Sequence, residues 1–141
     1  MVKPMSVVDV GTGSGILAIA ASKLGATNVL ATDISDESMT AAKQNSALNN
    51  LTNIKVQKTS LLAGVEGKFD IIVANILAEI LLDLIPQMDA HLNKDGQVIF
   101  SGIDYLQLPK IKKSLDENNF KIDLTMKQGR WIGLAITRKE K

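Results

Sequence analysis

Ser6-Val7-Val8-Asp9-Val10-Gly11-Thr12-Gly13-Ser14-Gly15-Ile16-Leu17-Ala18-Ile19-Ala20-Ala21 decides the fold of this chain. Residues 6–10 read as a β-strand and residues 15–24 as a helix, ended by Gly25, which accepts the left-handed backbone that closes helices. Between them, Gly11, Gly13 and Gly15 stand at alternate positions. Such a loop turns sharply and lets a ligand touch main-chain atoms without meeting a Cβ. The dinucleotide fingerprint G-x-G-x-x-G fails here, because the sixth position counted from Gly11 is Ile16. A phosphate-binding P-loop fails too, because no Lys follows Gly15.

Working outward, β-rich runs alternate with helical stretches. Residues 28–33 are the next strand; Ser35 caps a helix reaching Leu48, with Asp36 and Glu37 in its first turn, where the helix dipole favours acids. Residues 54–59 and 69–75 are strands, the second almost wholly apolar, as expected of a central parallel strand covered on both faces. Leu77, Ile80, Leu81, Leu84, Ile85, Met88 and Leu92 follow at helical spacing, with Pro86 expected to kink or split that helix. Asp95-Gly96 reads as a turn into a strand over 97–103, and Leu108, Ile111 and Leu115 mark one more helix. Runs over 120–126 and 131–137, joined by Lys127-Gln128-Gly129-Arg130, can pair only antiparallel. Five β/α repeats and a terminal hairpin predict one α/β domain over 1–141: a doubly wound, mostly parallel seven-stranded sheet with one antiparallel strand. In such sheets ligands sit beyond the carboxyl ends of the strands at the switch point.

Composition narrows the chemistry. The 141 residues are 45% apolar and 22% charged, with net charge +1, which suits one globular domain rather than a disordered chain. The longest unbroken apolar run, residues 16–21, is far short of the ~20 needed to span a bilayer, so no membrane partner is expected. No basic segment precedes an apolar one at the start, so a soluble, cytoplasmic domain is expected. The absence of cysteine excludes disulfides, thiolate nucleophiles and cysteine-bound metal; the single histidine, His91, argues against a His-based metal site or a Ser-His-Asp triad. His91 is expected on the surface at a helix end. Residues 105–141 carry 9 Lys/Arg against 4 Asp/Glu. A solvated surface is the plain reading of that excess, and RNA proximity the sharper one.

The pattern Asp9-x-Gly11-x-Gly13-x-Gly15 at the end of a first strand resembles motif I of the class I S-adenosylmethionine-dependent methyltransferases. S-adenosyl-L-methionine is therefore the expected cofactor, held at Asp9, Gly11, Gly13, Asp33, Ile34 and Asn75. Asp9 is either a buried carboxylate accepting from loop amides or a group near the cofactor's amino end. Asp33 closes the second strand, where an acid can accept hydrogen bonds from both ribose hydroxyls. Because NAD uses such an acid in the same way, the glycine spacing makes the choice of cofactor. Ser60, after the third strand, offers only a hydroxyl near the adenine. Asn75 follows the fourth strand and faces the sulfonium end; Asn75-Ile76-Leu77 lacks the aromatic platform of enzymes that methylate planar nitrogens.

Residues 7–21, Ala31-Thr32-Asp33-Ile34-Ser35, residues 45–50, Val73-Ala74-Asn75-Ile76-Leu77-Ala78, Phe100-Ser101-Gly102-Ile103 and Trp131 together resemble the catalytic domain of the family that methylates large-subunit ribosomal protein eleven. The resemblance covers nearly the whole chain. It implies a ribosomal protein as substrate, N-methylation of lysine and α-amino groups, and cofactor contacts at Gly11, Asp33 and Asn75; the catalytic role expected of Asn75 is to orient the amine or the cofactor's methionine end. It also implies an N-terminal recognition domain and an upstream segment over the cofactor, so a catalytic fragment is expected. A protonated lysine must first lose a proton, which costs roughly 4–5 kcal/mol at neutral pH; an apolar pocket and the sulfonium charge both lower its pKa. The alternatives are an RNA or small-molecule acceptor, a non-catalytic cofactor-binding fragment, and an oxidoreductase, which predicts NAD binding. Trp131 is expected to pack within its strand rather than line the acceptor pocket, and Asp70 to anchor its strand.

Overall fold

The computed structural model describes residues 5–139; the two ends of the domain expected over 1–141, Met1 included, lie outside them. The elements are β1 (Ser6–Val10), α1 (Ile16–Lys23), β2 (Asn28–Asp33), α2 (Asp36–Leu48), β3 (Ile54–Lys58), β4 (Phe69–Ala74), α3 (Ala78–Met88), β5 (Leu92–Asp104), α4 (Leu108–Glu117), β6 (Phe120–Gln128) and β7 (Trp131–Arg138). Short 3-10 turns at Asp89–His91 and Tyr105–Gln107 flank β5. The seven strands form one sheet in the order β3-β2-β1-β4-β5-β7-β6. Only β7 runs antiparallel, against both β5 and β6. The expected doubly wound architecture is therefore present.

From β1 the chain winds outward through β2 and β3, then returns to place β4 on the other side of β1. The switch point lies between β1 and β4, where Val10 stands beside Ala74. The Gly11 loop and Asn75 thus leave the sheet next to each other.

Both sheet faces are covered, which is why β1 and β4 are so apolar. Val8, Val10, Ile72 and Phe100 pack with Leu81, Leu84, Ile85 and Met88 of α3 and Ile111 and Leu115 of α4. Val7, Val29 and Ala31 point to the opposite face and pack with Ala18 of α1. Ser35 caps α2 by accepting from the Ser38 amide at 3.0 Å. Asp70 anchors β4 as expected: its carboxylate accepts from the Ser6 amide at 2.9 Å and from Asn93 Nδ2 at 2.9 Å, tying β1, β4 and β5 together. The Ser6 amide, followed by Asn93, holds the Asp70 carboxyl below its ordinary pKa.

Four details depart from the sequence expectations. Helix α3 continues through Pro86 without splitting. Pro86 sits in its last turn, where the amide missing from the ring costs a single hydrogen bond and the helix is about to end. Leu92 belongs to β5 rather than to the helix, although it shares the helix's spacing and is fully buried. Asp95-Gly96 lies inside β5 as an irregularity: the register passes from Phe69 beside Leu92 to Ile71 beside Gln97. Asp95 carries a φ of 64° there. The final hairpin turns on Gly129-Arg130 alone, with Gly129 at φ 61°, the conformation a two-residue connection demands of its first residue.

Gly15 shows why the glycine loop tolerates no side chain at its helix end. Its φ is 89°, and a Cβ there would lie 3.1 Å from Ala42 Cα, on the backbone of α2. Gly15→Ala is expected to lower unfolding free energy by about 1–2 kcal/mol from the left-handed backbone alone, read by urea denaturation. An unchanged midpoint would show that the loop backbone relaxes out of the left-handed region when Gly15 is replaced.

Candidate cofactor site at the switch point

The glycine loop is lashed to β2. The amides of Gly11 and Thr12 both donate to the Thr32 carbonyl, at 2.9 and 2.8 Å. Gly11 (φ 73°) turns the chain away from the sheet, and a Cβ on it would meet Ile76 Cγ2 at 2.5 Å. Gly13 (φ 57°) differs: a Cβ on it would find nothing within 4 Å, so the loop's crest faces open space. A ligand can therefore lie directly on main-chain atoms at this crest.

Asp33 bridges the loop and the next helix. Its Oδ2 accepts from the Gly13 amide at 3.0 Å and its Oδ1 from the Ser35 amide at 3.2 Å. A carboxylate has about four acceptor positions, so roughly two stay free for hydroxyl donors. Ile34 follows, 67% exposed, an apolar residue next in sequence to that carboxylate. Ser60 is exposed after β3 and makes no side-chain hydrogen bond among the described residues.

Asp9 is only 1% exposed. Thr12 Oγ1 donates to its Oδ2 at 2.7 Å, but its Oδ1 is buried with no partner. The loop amides do not serve it: those of Gly11 and Thr12 go to Thr32, and that of Gly13 goes to Asp33. Burial pushes the Asp9 carboxyl up to about 6, against the opposing pull of Thr12 and the Ala18 amide, with a small addition from the Asp33 charge. A buried, half-satisfied acid beside an open loop is an acceptor lacking a donor.

Asn75 leaves β4 exposed, and its carboxamide makes no hydrogen bond to the described residues. The residue that sequence reasoning missed is Gly102 on β5. Its φ is 71°, and a Cβ there would lie 2.3 Å from Asn75 Oδ1. The available signal was a glycine inside an otherwise β-branched and aromatic run, which marks a bulge or a close approach.

Trp131 corrects an expectation. It is 53% exposed rather than packed, with the Arg130 guanidinium 5.8 Å from its ring centre. Trp131 pairs with Asp104 at the carboxyl end of β5, so it stands on the same rim as the glycine loop. Exposed Leu77, Tyr105 and Leu106 share that rim. His91 ends the 3-10 turn before β5, half-buried, with Nδ1 3.1 Å from the Gly67 carbonyl. Among the described residues, five of the nine basic residues over 105–141 are ion-paired: Lys113 with Glu117, Lys121 with Asp123, Arg130 with Asp104, Arg138 with Asp89 and Lys139 with Asp116. Among the described residues no three His, Cys, Asp or Glu side chains gather to hold a metal ion, and no helix is long and apolar enough to cross a membrane.

A seven-stranded sheet with β7 reversed, a glycine crest at the switch point and an acid closing β2 define a Rossmann-like methyltransferase domain. Comparison with known proteins agrees. The family model described as ribosomal protein L11 methyltransferase (PrmA) matches residues 1–139, and the chain belongs to that family. The ribosomal protein L11 methyltransferase of Lactobacillus helveticus is 88% identical over 139 residues, covering 99% of this chain and 44% of the relative. The chain thus spans less than half the length of such relatives. The crystal structure of ribosomal protein L11 methylase from Lactobacillus delbrueckii subsp. bulgaricus superposes with a TM-score of 0.96 at 77% identity, covering 99% of this chain and 73% of that one. Magnesium protoporphyrin IX methyltransferase (ChlM) from Synechocystis PCC 6803 with bound SAM shares the fold, with a TM-score of 0.78 at 22% identity over 96% of this chain and 71% of that one.

Proposed function

We propose that this chain is the S-adenosylmethionine-binding, methyl-transferring domain of a protein N-methyltransferase whose acceptors are lysine and α-amino groups of ribosomal protein L11. Family membership carries the substrate. The observation that carries the cofactor is the pairing of an open glycine crest with an acid 3.0 Å from the Gly13 amide. When bound, S-adenosylmethionine supplies a methyl group on a positively charged sulfur, open to attack by a neutral amine.

The residues fit that group. Gly11 and Gly13 present backbone without side chains, Asp33 accepts from the ribose hydroxyls, and Ile34 lies against the base. The unpartnered Oδ1 of Asp9 provides an acceptor for the ammonium of the methionine portion. Asn75 offers one donor pair and one acceptor from the same amide, which orients an amine or the methionine end without taking up a proton. No side chain on this rim is required as a general base. Leu77, Leu106 and Trp131 supply apolar surface, and an apolar setting lowers the pKa of a lysine placed there. Catalysis is then chiefly positioning, with the reacting atoms brought to about 3–3.5 Å.

The test is transfer of labelled methyl from S-adenosylmethionine to isolated ribosomal protein L11, to ribosomal RNA, and to no acceptor. Label in the protein alone supports the proposal; label in the RNA alone overturns the choice of acceptor. Cofactor binding without transfer to either would assign the chain a binding role only.

A further inference from the structure

We propose that Gly102 is a positioning residue for Asn75: the missing side chain at 102 sets where the Asn75 carboxamide lies. The inference rests on the role given to Asn75 above.

Three observations converge on the pair. First, β5 is irregular at this point. Its register against β7 passes from Phe100 beside Leu134 to Ile103 beside Ile132, so Ser101 and Gly102 together oppose Gly133. Such a bulge bends a strand and re-aims what it carries. Second, Gly102 takes a φ of 71°, which is left-handed backbone. Third, Asn75 Oδ1 fills the space that a Cβ on Gly102 would take, at 2.3 Å. The other flank is built alike, with Ile76 Cγ2 2.5 Å from the Cβ position of Gly11. The exit of β4 is thus bracketed by glycines of its two neighbours, one touching Ile76 and the other touching Asn75.

The consequence of filling position 102 falls on Asn75 rather than on the core. Both residues are exposed, and the obstructing atom is the far end of a side chain with no hydrogen bond among the described residues. A methyl group there swings the carboxamide aside, and a displacement of about 1 Å at a reacting centre costs about 100-fold in rate.

The experiment is a double-mutant cycle with two readouts. The side-chain NH2 signals of Asn75 are assigned in the amide NMR spectrum by their loss in Asn75→Ala. Gly102→Ala is expected to move those signals, with S-adenosylhomocysteine affinity falling no further than it falls in Asn75→Ala. Methyl transfer to ribosomal protein L11 is expected to fall about 100-fold in Gly102→Ala, and to fall no further when Gly102→Ala is added to Asn75→Ala. Gly102→Asn carries the same Cβ on a residue that tolerates left-handed backbone, and it replaces Gly102→Ala should the alanine variant not fold. Unmoved Asn75 signals, or losses that multiply in the double variant, overturn the inference and leave the reading of Asn75 standing. Full transfer in Asn75→Ala overturns that reading and the inference with it.

Discussion

Asp33→Ala is expected to bind S-adenosylhomocysteine at least about 100-fold more weakly than the unaltered chain in a calorimetric titration. The carboxylate is the group proposed to accept both ribose hydroxyls, and hydrogen bonds to a charged acceptor are worth roughly 1.5–3 kcal/mol each. Two of them sum to about 3–6 kcal/mol, and every 1.4 kcal/mol or so is tenfold in affinity. The same carboxylate also receives the Gly13 and Ser35 amides. Its removal therefore loosens the glycine crest as well, which adds to the loss. NAD is titrated in parallel, because an acid at this position serves any adenine nucleoside. Weak or absent NAD binding by the unaltered chain is the expected result, given Ile16 where the dinucleotide fingerprint needs glycine. Unchanged S-adenosylhomocysteine affinity in Asp33→Ala, or tighter binding of NAD by the unaltered chain, would remove the proposed site.

Asp9→Asn should make the ligand-free protein more stable at neutral pH, and the gain should vanish in acid. The folded state raises the Asp9 carboxyl from 3.8 to about 6, chiefly because burial penalises the charged form. The folded protein thus holds this proton more tightly than the unfolded chain does. The stability contribution of the acid is complete below the unfolded value and is lost as pH rises through the folded one. Above that range a charge sits buried with little beyond Thr12 and the Ala18 amide to offset its desolvation. Two units correspond to about 3 kcal/mol as an upper bound. Asparagine carries no charge to desolvate, although it too leaves one polar atom to satisfy. Urea denaturation at about pH 7.5 and about pH 4 should show a gap of up to about 3 kcal/mol closing toward zero. A gap that ignores pH would mean that Asp9 is already neutral or already paired. The same substitution should weaken S-adenosylmethionine binding, since the unpartnered oxygen is the proposed acceptor for the ammonium. Higher stability with lower affinity is the pattern of a group kept for function.

The elements and their order were legible because local chemistry specifies them. The apolar run of β4, the Ser35 cap with acids behind it and the alternate glycines each leave a signal within a few residues. The places that misled share one cause: local pattern and tertiary environment disagreed there. Leu92 matched the helical spacing of α3, yet its burial comes from starting a strand. Trp131 looked like a packing residue because it is large and sits in a β-like run. Its position at the mouth of β7, next to the carboxyl end of β5, leaves it half in solvent. Pro86 signalled a break, but a proline in a last turn has little helix left to disrupt.

Read alone, the sequence determined the winding of the sheet, the loop that crosses its switch point and the acid at the end of β2. Each of these follows from backbone conformations that glycine, proline and short polar residues permit or forbid over a few positions. Tertiary structure alone decided that Asp9 keeps one oxygen without a donor, that Gly11 rests on Ile76, and that Gly102 leaves room for Asn75. Those contacts join residues from different strands of the sheet. Their distances depend on strand register and bulges, which arise only when the whole sheet is assembled.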